Sequence, residues 1–564
     1  MMGAGLPQAF QDMLRPSAER QRAKTPRSEI AVIAALFLLS IALNYSMHYN
    51  YPLPIHSDEY DHLATVAEME RTEGRVLYDP YITQYRFAVR NLELNYDIFL
   101  LVFRQFTGLD FTLIPLVIPP MLTFLMSLSA FVLVKFITGK RFAALLSAVF
   151  VLFLHNNIAF LGYWILVPMA MGLAAIPVMA YLFLRGLGSW AYFLLLLAVF
   201  INITLTHAVY AVVFIPVFAL YIISAPRGLK RNLPKIVLGT AVLIALSARF
   251  VQWDFSNPLL TLQRIVDFLV WNYGDTTATY QLIPYITPLT FALALAGLGW
   301  LLLPLVRAAL AGRKTAAGSG TARAGAKETA GSRTASALPK SDAYSSALRN
   351  ARTHFPKLML FFIALLFLVR AYADSSGICL LGPCRRTTPA FAVMALIAAG
   401  IGLFAIINAL SKIAAQIPPR PSRVLHAVAV FALAVFLLQQ LTAEPYTNRA
   451  GFYHNIELGE ADAIKWIAEN SHSDYVVMAL PWAAKPVYLI SERKVVETGA
   501  ARLGASLQSL QDVIEFPTAG CEDREKTVAK YKPDIVYGGE AYIDCEFLDL
   551  AYSKGGYHVY VPNR

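Results

Sequence analysis

Long apolar runs recur along the chain, and they constrain its fold more than any other feature. Runs such as IAVIAALFLLSIALNY and AFAVMALIAAGIGLFAIINAL are continuous and carry no charged residue. A helix of about 20 such residues crosses the roughly 30 Å hydrocarbon core of a bilayer, whereas a membrane barrel alternates polarity within segments of about 10 residues. The chain is 57% hydrophobic and 15% charged, so it is more apolar and less charged than a soluble domain. The sequence predicts a polytopic α-helical membrane protein.

The apolar runs predict about eleven membrane spans. The first begins at residue 30 behind a basic tail, residues 1–29, and no small-x-small cleavage site follows it. We therefore expect a signal anchor and not a removable signal peptide. The predicted spans cover residues 30–49, 111–134, 142–156, 158–184, 190–206, 208–224, 235–251, 284–306, 358–373, 388–411 and 424–441.

Lysine and arginine cluster on one side of this arrangement. Short cytoplasmic loops are enriched in these two residues, so we expect that side, with the N-terminus, to be cytoplasmic in an integral plasma-membrane protein. The formal charge of +11 then reflects membrane topology, and we expect no nucleic-acid partner. The clusters lie within residues 15–27, 135–141, 227–231, 307–357 and 412–423.

The opposite side then receives the loop 50–110, the segment 374–387 and the tail from about residue 442. Disulfides persist in oxidising compartments, and every cysteine of the chain falls in these outer segments. We expect one bridge in each neighbouring pair, although four cysteines allow three pairings and free thiols are an open alternative. The two pairs are Cys379 with Cys384 and Cys521 with Cys545.

Two further segments differ in character from the membrane domain, residues 30–441. Residues 313–347 are rich in Ala, Gly, Ser, Thr and Lys without periodicity, which predicts a disordered cytoplasmic linker. The tail, residues 442–564, alternates a helical pattern, GEADAIKWIAENS, with strand patterns in DYVVMAL, RKVVET, DIVYGG and YHVYVP. This alternation predicts a small extracytoplasmic α/β domain.

The loop 50–110 opens with the stretch PIHSDEYDHLATVAEME, in which two histidines and three acids lie within seven positions. A helix that begins after an N-cap at Ser57 would favour acids in its first turn, which explains part of this cluster. On such a helix, positions 58, 61 and 62 share one face, and this favours an active site at the membrane surface. The five residues are His56, Asp58, Glu59, Asp61 and His62.

The rest of this loop mixes tyrosine with arginine, as in ITQYRFAVRN. Aromatic and cationic groups at an interface suit sugars and anionic lipid headgroups, so Tyr85 and Arg86 are candidate donor-binding residues. An interfacial belt of tyrosines is the alternative explanation.

An Asp-Glu pair in the first outer loop, directly after the first span, resembles the GT-C glycosyltransferases. This superfamily includes protein O-mannosyltransferases, lipid A aminoarabinose transferases and oligosaccharyltransferases. The resemblance implies that Asp58 and Glu59 act as catalytic base or help to bind a metal. It also implies a polyprenyl- or dolichyl-phosphate-linked sugar donor and transfer on the outer face of the membrane.

Three further features fit the archaeal-type members of this group. ITLTHAVYAV places His207 at the outer end of a middle span, and CRRTTPAFAV places Arg385 and Arg386 at the outer mouth of a late span, where such enzymes bind donor phosphate. The tail resembles their outer domain. The Trp-Trp-Asp-Tyr-Gly signature of oligosaccharyltransferases is absent from it, and WNYGD at 271–275 is only a partial echo, which argues against transfer to Asn sequons.

These residues support an inverting displacement. Asp58 would act as general base on an acceptor hydroxyl, Glu59 would orient the acceptor, and Arg385 and Arg386 would bind the donor phosphate in bidentate fashion. His207 is a candidate because ionisable residues within spans are commonly functional, with an interhelical hydrogen bond as the alternative. The acceptor, a protein, lipid or glycan, stays open.

A metal site is a further hypothesis. Asp58, Asp61 and His62, with His56, could bind a divalent cation: carboxylates suit Mg²⁺ or Mn²⁺, and histidines suit zinc or manganese.

Other classes of membrane protein remain as alternatives. A transporter or flippase for lipid-linked glycans would place its charges near the middle of the membrane and would often show internal repeats, whereas here the charges cluster at the outer surface. A polymerase or ligase for such glycans is expected to carry its large outer loop late in the chain. A non-catalytic partner would not need so many spans.

Overall fold

The computed structural model describes most of the helical core, the acidic helix and most of the tail. The described residues are 27–45, 48, 50–73, 94–154, 165–186, 189–224, 226–250, 259–260, 263, 270–272, 288–318, 378–380, 384–414, 456–496 and 507–563. The predicted spans 358–373 and 424–441 lie outside them, as does the predicted linker after residue 318.

Ten helices and one short ladder make up the described part before the tail. The helices are α1 (Arg27–Tyr45), α2 (Ser57–Arg71), α3 (Leu94–Thr107), α4 (Ile114–Thr138), α5 (Arg141–Val151), α6 (Pro168–Gly186), α7 (Trp190–Ser224), α8 (Pro226–Phe250), α9 (Pro288–Gly318) and α10 (Cys384–Ala414). Strand β1 (Val270–Asn272) pairs antiparallel with β2 (Ile378–Leu380).

Within the described ranges, four helices are long and apolar enough to cross a membrane. They are Ile114–Thr138, Pro168–Gly186, Trp190–His207 and Pro389–Lys412. Four shorter apolar helices accompany them, at Glu29–Tyr45, Arg141–Val151, Asn232–Leu243 and Leu289–Pro304. These eight helices overlap eight of the predicted spans in position. The total of eleven spans stays a prediction.

Close backbone approach holds α9 against α10. A Cβ atom added at Gly297 would lie 2.0 Å from the carbonyl oxygen of Ala398, and one at Gly402 would lie 1.9 Å from that of Leu293. On its other side, α10 meets α5, where the Ser147 hydroxyl donates to the Ile397 carbonyl at 2.9 Å. Small residues therefore set the spacing of these helices, as is usual where apolar helices pack inside a membrane.

Charged contacts gather at the end of the bundle opposite the acidic helix. Glu29 accepts from Lys135 at 2.7 Å and lies 3.0 Å from Arg141. The ammonium group of Lys235 donates to the Gly186 carbonyl at 2.6 Å. Most of these positions lie next to the predicted basic clusters, and the orientation of the chain in a membrane stays a prediction.

The described tail is an α/β domain around one mixed sheet. Its helices are α11 (Leu458–Asn470), α12 (Pro481–Ser491), α13 (Leu507–Glu515) and α14 (Cys521–Tyr531). Its strands are β3 (Val476–Met478), β4 (Lys494–Val495), β5 (Ile535–Gly539), β6 (Leu548–Lys554) and β7 (Tyr557–Pro562). The strand order is β4-β3-β5-β7-β6, with β3 parallel to β4 and β5 and the β5–β7 and β6–β7 pairs antiparallel.

Two elements of the tail escape the sequence patterns. Helix α12 contains Pro486 in its interior, which is normally a helix-breaking position. Strand β6 lies at the edge of the sheet and is largely exposed, so it lacks the apolar pattern of a buried strand. The Gly555–Gly556 turn before β7, in which both residues have positive φ, is the signal from which this hairpin could have been predicted.

The structure confirms one of the expected disulfides. Cys521 and Cys545 are bonded, with their Cα atoms 5.6 Å apart, and the bridge ties the start of α14 to the loop before β6. Cys379 lies in β2 and Cys384 begins α10. Their side chains are outside the described part, so the second bridge stays a prediction.

The contact between α9 and α10 can be tested with two glycines on one helix. We expect Gly297→Ala to destabilise the protein by about 1–3 kcal/mol, because the new methyl group meets backbone atoms that cannot move aside. Gly299→Ala is the matched control, since a Cβ there meets nothing within 4 Å. Thermal unfolding in detergent measures both, and equal melting temperatures would show that the helices are not packed this closely.

Candidate active site

His56 and Glu59 together cap the acidic helix α2. The His56 side chain accepts from the backbone N–H of Asp58 at 3.1 Å, and the Glu59 side chain accepts from the backbone N–H of His56 at 3.2 Å. The N-cap is thus His56, and the expectation of an N-cap at Ser57 was wrong by one residue. The cap is a reciprocal capping box, in which histidine replaces the usual hydroxyl residue.

Glu59 is fully buried and also binds a distant segment. One carboxylate oxygen accepts from the N–H of Ile55 at 2.5 Å, and the other accepts from the N–H of Leu166, just before α6, at 2.7 Å. Burial raises the pKa of Glu59 to about 7, and its three backbone N–H bonds act in the opposite direction. This carboxylate joins the start of α2 to the helical bundle, so its contacts are structural.

Asp58 is the more exposed member of the Asp-Glu pair. Its side chain is 39% exposed, and its carboxylate lies 3.9 Å from Nδ1 of His56. Burial lowers the pKa of His56, and the charge of Asp58 partly opposes this shift. A neutral histidine and a solvent-accessible carboxylate therefore stand side by side at the N-terminus of α2.

His62 connects α2 to α3. Its Nδ1 lies 2.7 Å from the Asp97 carboxylate, and both side chains are almost completely buried. The His62 ring also packs edge-on against Tyr96, with the ring centroids 5.1 Å apart. This pair fixes α3 against the acidic helix.

The start of α3 also reaches the interrupted helix α7. Asn95 donates to the Thr206 hydroxyl at 3.3 Å, and at the next residue, His207, the backbone leaves the helical conformation. The His207 ring is buried and lies 4.9 Å from that of Tyr210. His207 therefore lies one residue from the contact between α7 and α3.

The tail domain packs directly on the acidic helix through α12. The Lys485 ammonium lies 2.5 Å from the Asp61 carboxylate, and the Tyr488 hydroxyl donates to Glu68 at 2.7 Å. A separate contact runs from the Tyr51 hydroxyl to the Ile456 carbonyl at 2.8 Å. The loop that begins at residue 50 and the tail therefore lie on the same side of the bundle.

The predicted metal ligands do not converge on one point. Asp61 is paired with Lys485, and His62 is paired with Asp97. No group of three metal-ligating side chains occurs among the residues that the structure describes. The described residues therefore do not fit the predicted ligand set.

The remaining predicted residues lie at the limits of the described part. Arg385 and Arg386 fall in the first turn of α10, where the structure describes the backbone and not the side chains. Tyr85 and Arg86 lie outside the described residues. Asp97 and Lys485 are not among the residues that the sequence patterns predicted for the site. Asp97 is the one acidic residue of α3, and Lys485 is the one charged residue of α12; this isolation is the signal by which they could have been found.

No protein-family model matches the sequence, and no curated protein is similar to it in sequence. Solved structures do resemble the fold. The apo oligosaccharyltransferase AglB of Archaeoglobus fulgidus matches with a TM-score of 0.58 and 11% identity, over 91% of this chain and 69% of the enzyme. ArnT from Cupriavidus metallidurans bound to undecaprenyl phosphate matches with a TM-score of 0.51 and 12% identity, over 95% of this chain and 98% of ArnT.

AglB has also been solved with other bound groups. Its complex with an inhibitory peptide and a dolichol-phosphate matches with a TM-score of 0.53 and 11% identity, over 90% of this chain and 69% of that one. A further structure of the same enzyme contains zinc and sulfate. AglB and ArnT are GT-C glycosyltransferases, and this chain shares their fold.

The contacts of Glu59 predict the effect of its amide variant. Glu59→Gln is expected to cost about 1–3 kcal/mol, because one amide oxygen cannot accept from N–H groups on both sides and a buried donor is left unpaired. Glu70→Gln is the control on the same helix, since the Glu70 side chain is 39% exposed and pairs with Arg104 at the rim. Chemical or thermal unfolding measures both variants, and equal losses would contradict a structural role for Glu59.

The pKa of Glu59 predicts how stability changes with pH. Burial raises this pKa from 4.5 to about 7, so the folded chain holds the proton more tightly than the unfolded chain. The resulting stabilisation is complete below the unfolded pKa and is lost as pH rises through about 7. We expect the melting temperature to fall from about pH 5 to about pH 8, and to fall less in Glu59→Gln.

Burial also raises the pKa of Glu460 to about 7. Glu460 is present in both wild type and Glu59→Gln, and its titration also lowers the melting temperature as pH rises. The slope of melting temperature against pH should therefore be smaller in Glu59→Gln than in wild type, but not zero. Parallel slopes in the wild type and the variant would show that Glu59 does not titrate in this range.

Proposed function

We propose that the protein is a membrane glycosyltransferase that moves a sugar from a polyprenyl- or dolichyl-phosphate donor to an acceptor hydroxyl on the outer face. The observation that carries the proposal is the position of Asp58, an exposed carboxylate on a rigidly held helix at one end of a GT-C-type bundle. Two proteins of this fold have been solved with dolichol-phosphate and undecaprenyl phosphate, which supports a lipid phosphate as leaving group. The acceptor is a protein, lipid or glycan.

The chemistry is a single displacement with inversion at the anomeric carbon. Asp58 accepts the proton of the acceptor hydroxyl as its oxygen attacks that carbon. The bond from the anomeric carbon to the phosphate oxygen breaks, and the lipid phosphate leaves with the electron pair. The guanidinium groups of Arg385 and Arg386, at the start of α10, are proposed to bind that phosphate.

Other residues have supporting roles in this proposal. His207 lies where α7 is interrupted, next to Thr206, which contacts α3, and this supports a place for it beside the donor. Tyr85 and Arg86 stay proposed donor-binding residues of the outer loop. Glu59 supports the reaction through its hold on the start of α2, and its predicted role in acceptor orientation remains a proposal.

A divalent cation such as Mn²⁺ or Mg²⁺ remains a prediction for Asp58. Because Asp61 and His62 are held by Lys485 and Asp97, the described residues do not form the expected ligand set. No step of the displacement is routed through a metal.

The first test compares wild type with Asp58→Asn. Purified protein is mixed with a pool of polyprenyl-phosphate sugars and a membrane extract that supplies protein, lipid and glycan acceptors, and loss of each donor is followed by mass spectrometry. Removal of the general base is expected to slow donor consumption by about 10²–10⁴-fold, whereas Glu70→Gln on the same helix should react like wild type.

Each outcome has a distinct meaning. Equal donor consumption by wild type and Asp58→Asn would show that Asp58 is only part of the helix start. If folded wild-type protein consumed no donor from a lipid pool that a known transferase can use, the proposal would fail. Transport of lipid-linked glycans would then become the leading explanation.

A further inference from the structure

The ion pair between α2 and α12 joins two parts of the chain that are 424 positions apart. The Lys485 and Asp61 side chains are only 12% and 18% exposed, so solvent screens their charges weakly. Removing one partner of such a pair leaves an uncompensated charge in a poorly hydrated site. This contact therefore differs from the rim pairs of the molecule, such as that of Glu70 with Arg104.

The pair also lies close to the proposed general base. Asp58 and Asp61 are three positions apart on α2, so their side chains are neighbours on the helix surface. Burial is the main cause of the lowered pKa of His56, and the positive charge of Lys485 acts in the same direction. Two neighbouring carboxylates each disfavour the charged form of the other. Lys485 compensates the negative charge of Asp61.

We propose that Lys485 is a positioning residue of the transfer reaction, supplied to the acidic helix by the tail domain. It neutralises Asp61 and turns that carboxylate toward α12, so Asp58 is left as the charged and exposed carboxylate that meets the acceptor. The kinetic test of this role for Lys485 rests on the proposed function, because it requires transferase activity. A second test is independent of activity.

The kinetic test uses four variants of the full-length protein in detergent or lipid. Lys485→Met is expected to lower kcat by about tenfold or more, with KM for the donor changed by less than about threefold, because it disturbs the charge at Asp58 and not donor binding. Lys485→Arg keeps the charge and should retain most of the kcat. Tyr488→Phe is the matched control, because it removes another hydrogen bond of the same helix pair, to Glu68, and should leave kcat unchanged.

The fourth variant separates compensation of charge from simple packing. If Lys485 acts by neutralising Asp61, adding Asp61→Asn to Lys485→Met should restore much of the lost kcat, since no unpaired carboxylate remains. A double variant that is as slow as Lys485→Met alone would overturn the proposal. So would a normal kcat in Lys485→Met, or an equal loss in Tyr488→Phe.

The second test needs no turnover. An introduced thiol in Asp58→Cys reports the local charge, because only its thiolate reacts with iodoacetamide. Adding Lys485→Met should move the midpoint of the alkylation–pH curve upward by about half a unit or more, since Asp61 is then uncompensated. Mass spectrometry of the peptide that contains position 58 distinguishes this thiol from the native cysteines.

The two tests separate the two proposals. A shifted alkylation curve in a protein that consumes no donor would support the role of Lys485 in charge compensation and defeat the proposed function alone. An unchanged curve would overturn the role of Lys485, even if the wild type is an active transferase.

Discussion

A single buried carboxylate, Glu59, holds the acidic helix in place. It satisfies backbone N–H groups at the start of α2 and one N–H of Leu166, before α6, so a local cap and a long-range tie share one side chain. A buried N–H group that loses its partner costs free energy. Moving α2 relative to the bundle would break the bonds of Glu59 and leave such groups unpaired, so the helix is held in one position. The other contacts of α2 depend on that position.

The charged residues of the stretch from His56 to His62 have separate surroundings. Glu59 faces the bundle, His62 faces Asp97 on α3, and Asp61 faces Lys485 on the tail. Asp58 has the largest exposed fraction among these carboxylates. A dense acidic motif therefore divides into side chains that hold the helix and one more exposed carboxylate, and the division comes from what each side chain contacts.

The tail domain and the bundle form one unit around this helix. Polar contacts of Lys485, Tyr488 and Tyr51 join them on one side, while close packing at Gly297 and Gly402 holds the bundle together below. The likeness to AglB and ArnT extends over nine tenths or more of the chain, so both parts belong to the shared fold.

The sequence by itself determined the elements whose pattern is local. Apolar runs located the membrane helices, because burial in lipid requires about 20 apolar residues. Period and alternation located α11, β3, β5 and β7, and the predicted outer position of the cysteines pointed to the Cys521–Cys545 bridge. Only the tertiary structure decided the partners of Asp61, Glu59 and His62, and it moved the N-cap from Ser57 to His56. A periodic pattern reports which face of a helix is buried, whereas the partner of a charge, such as Lys485 lying 424 residues from Asp61, depends on how distant elements pack.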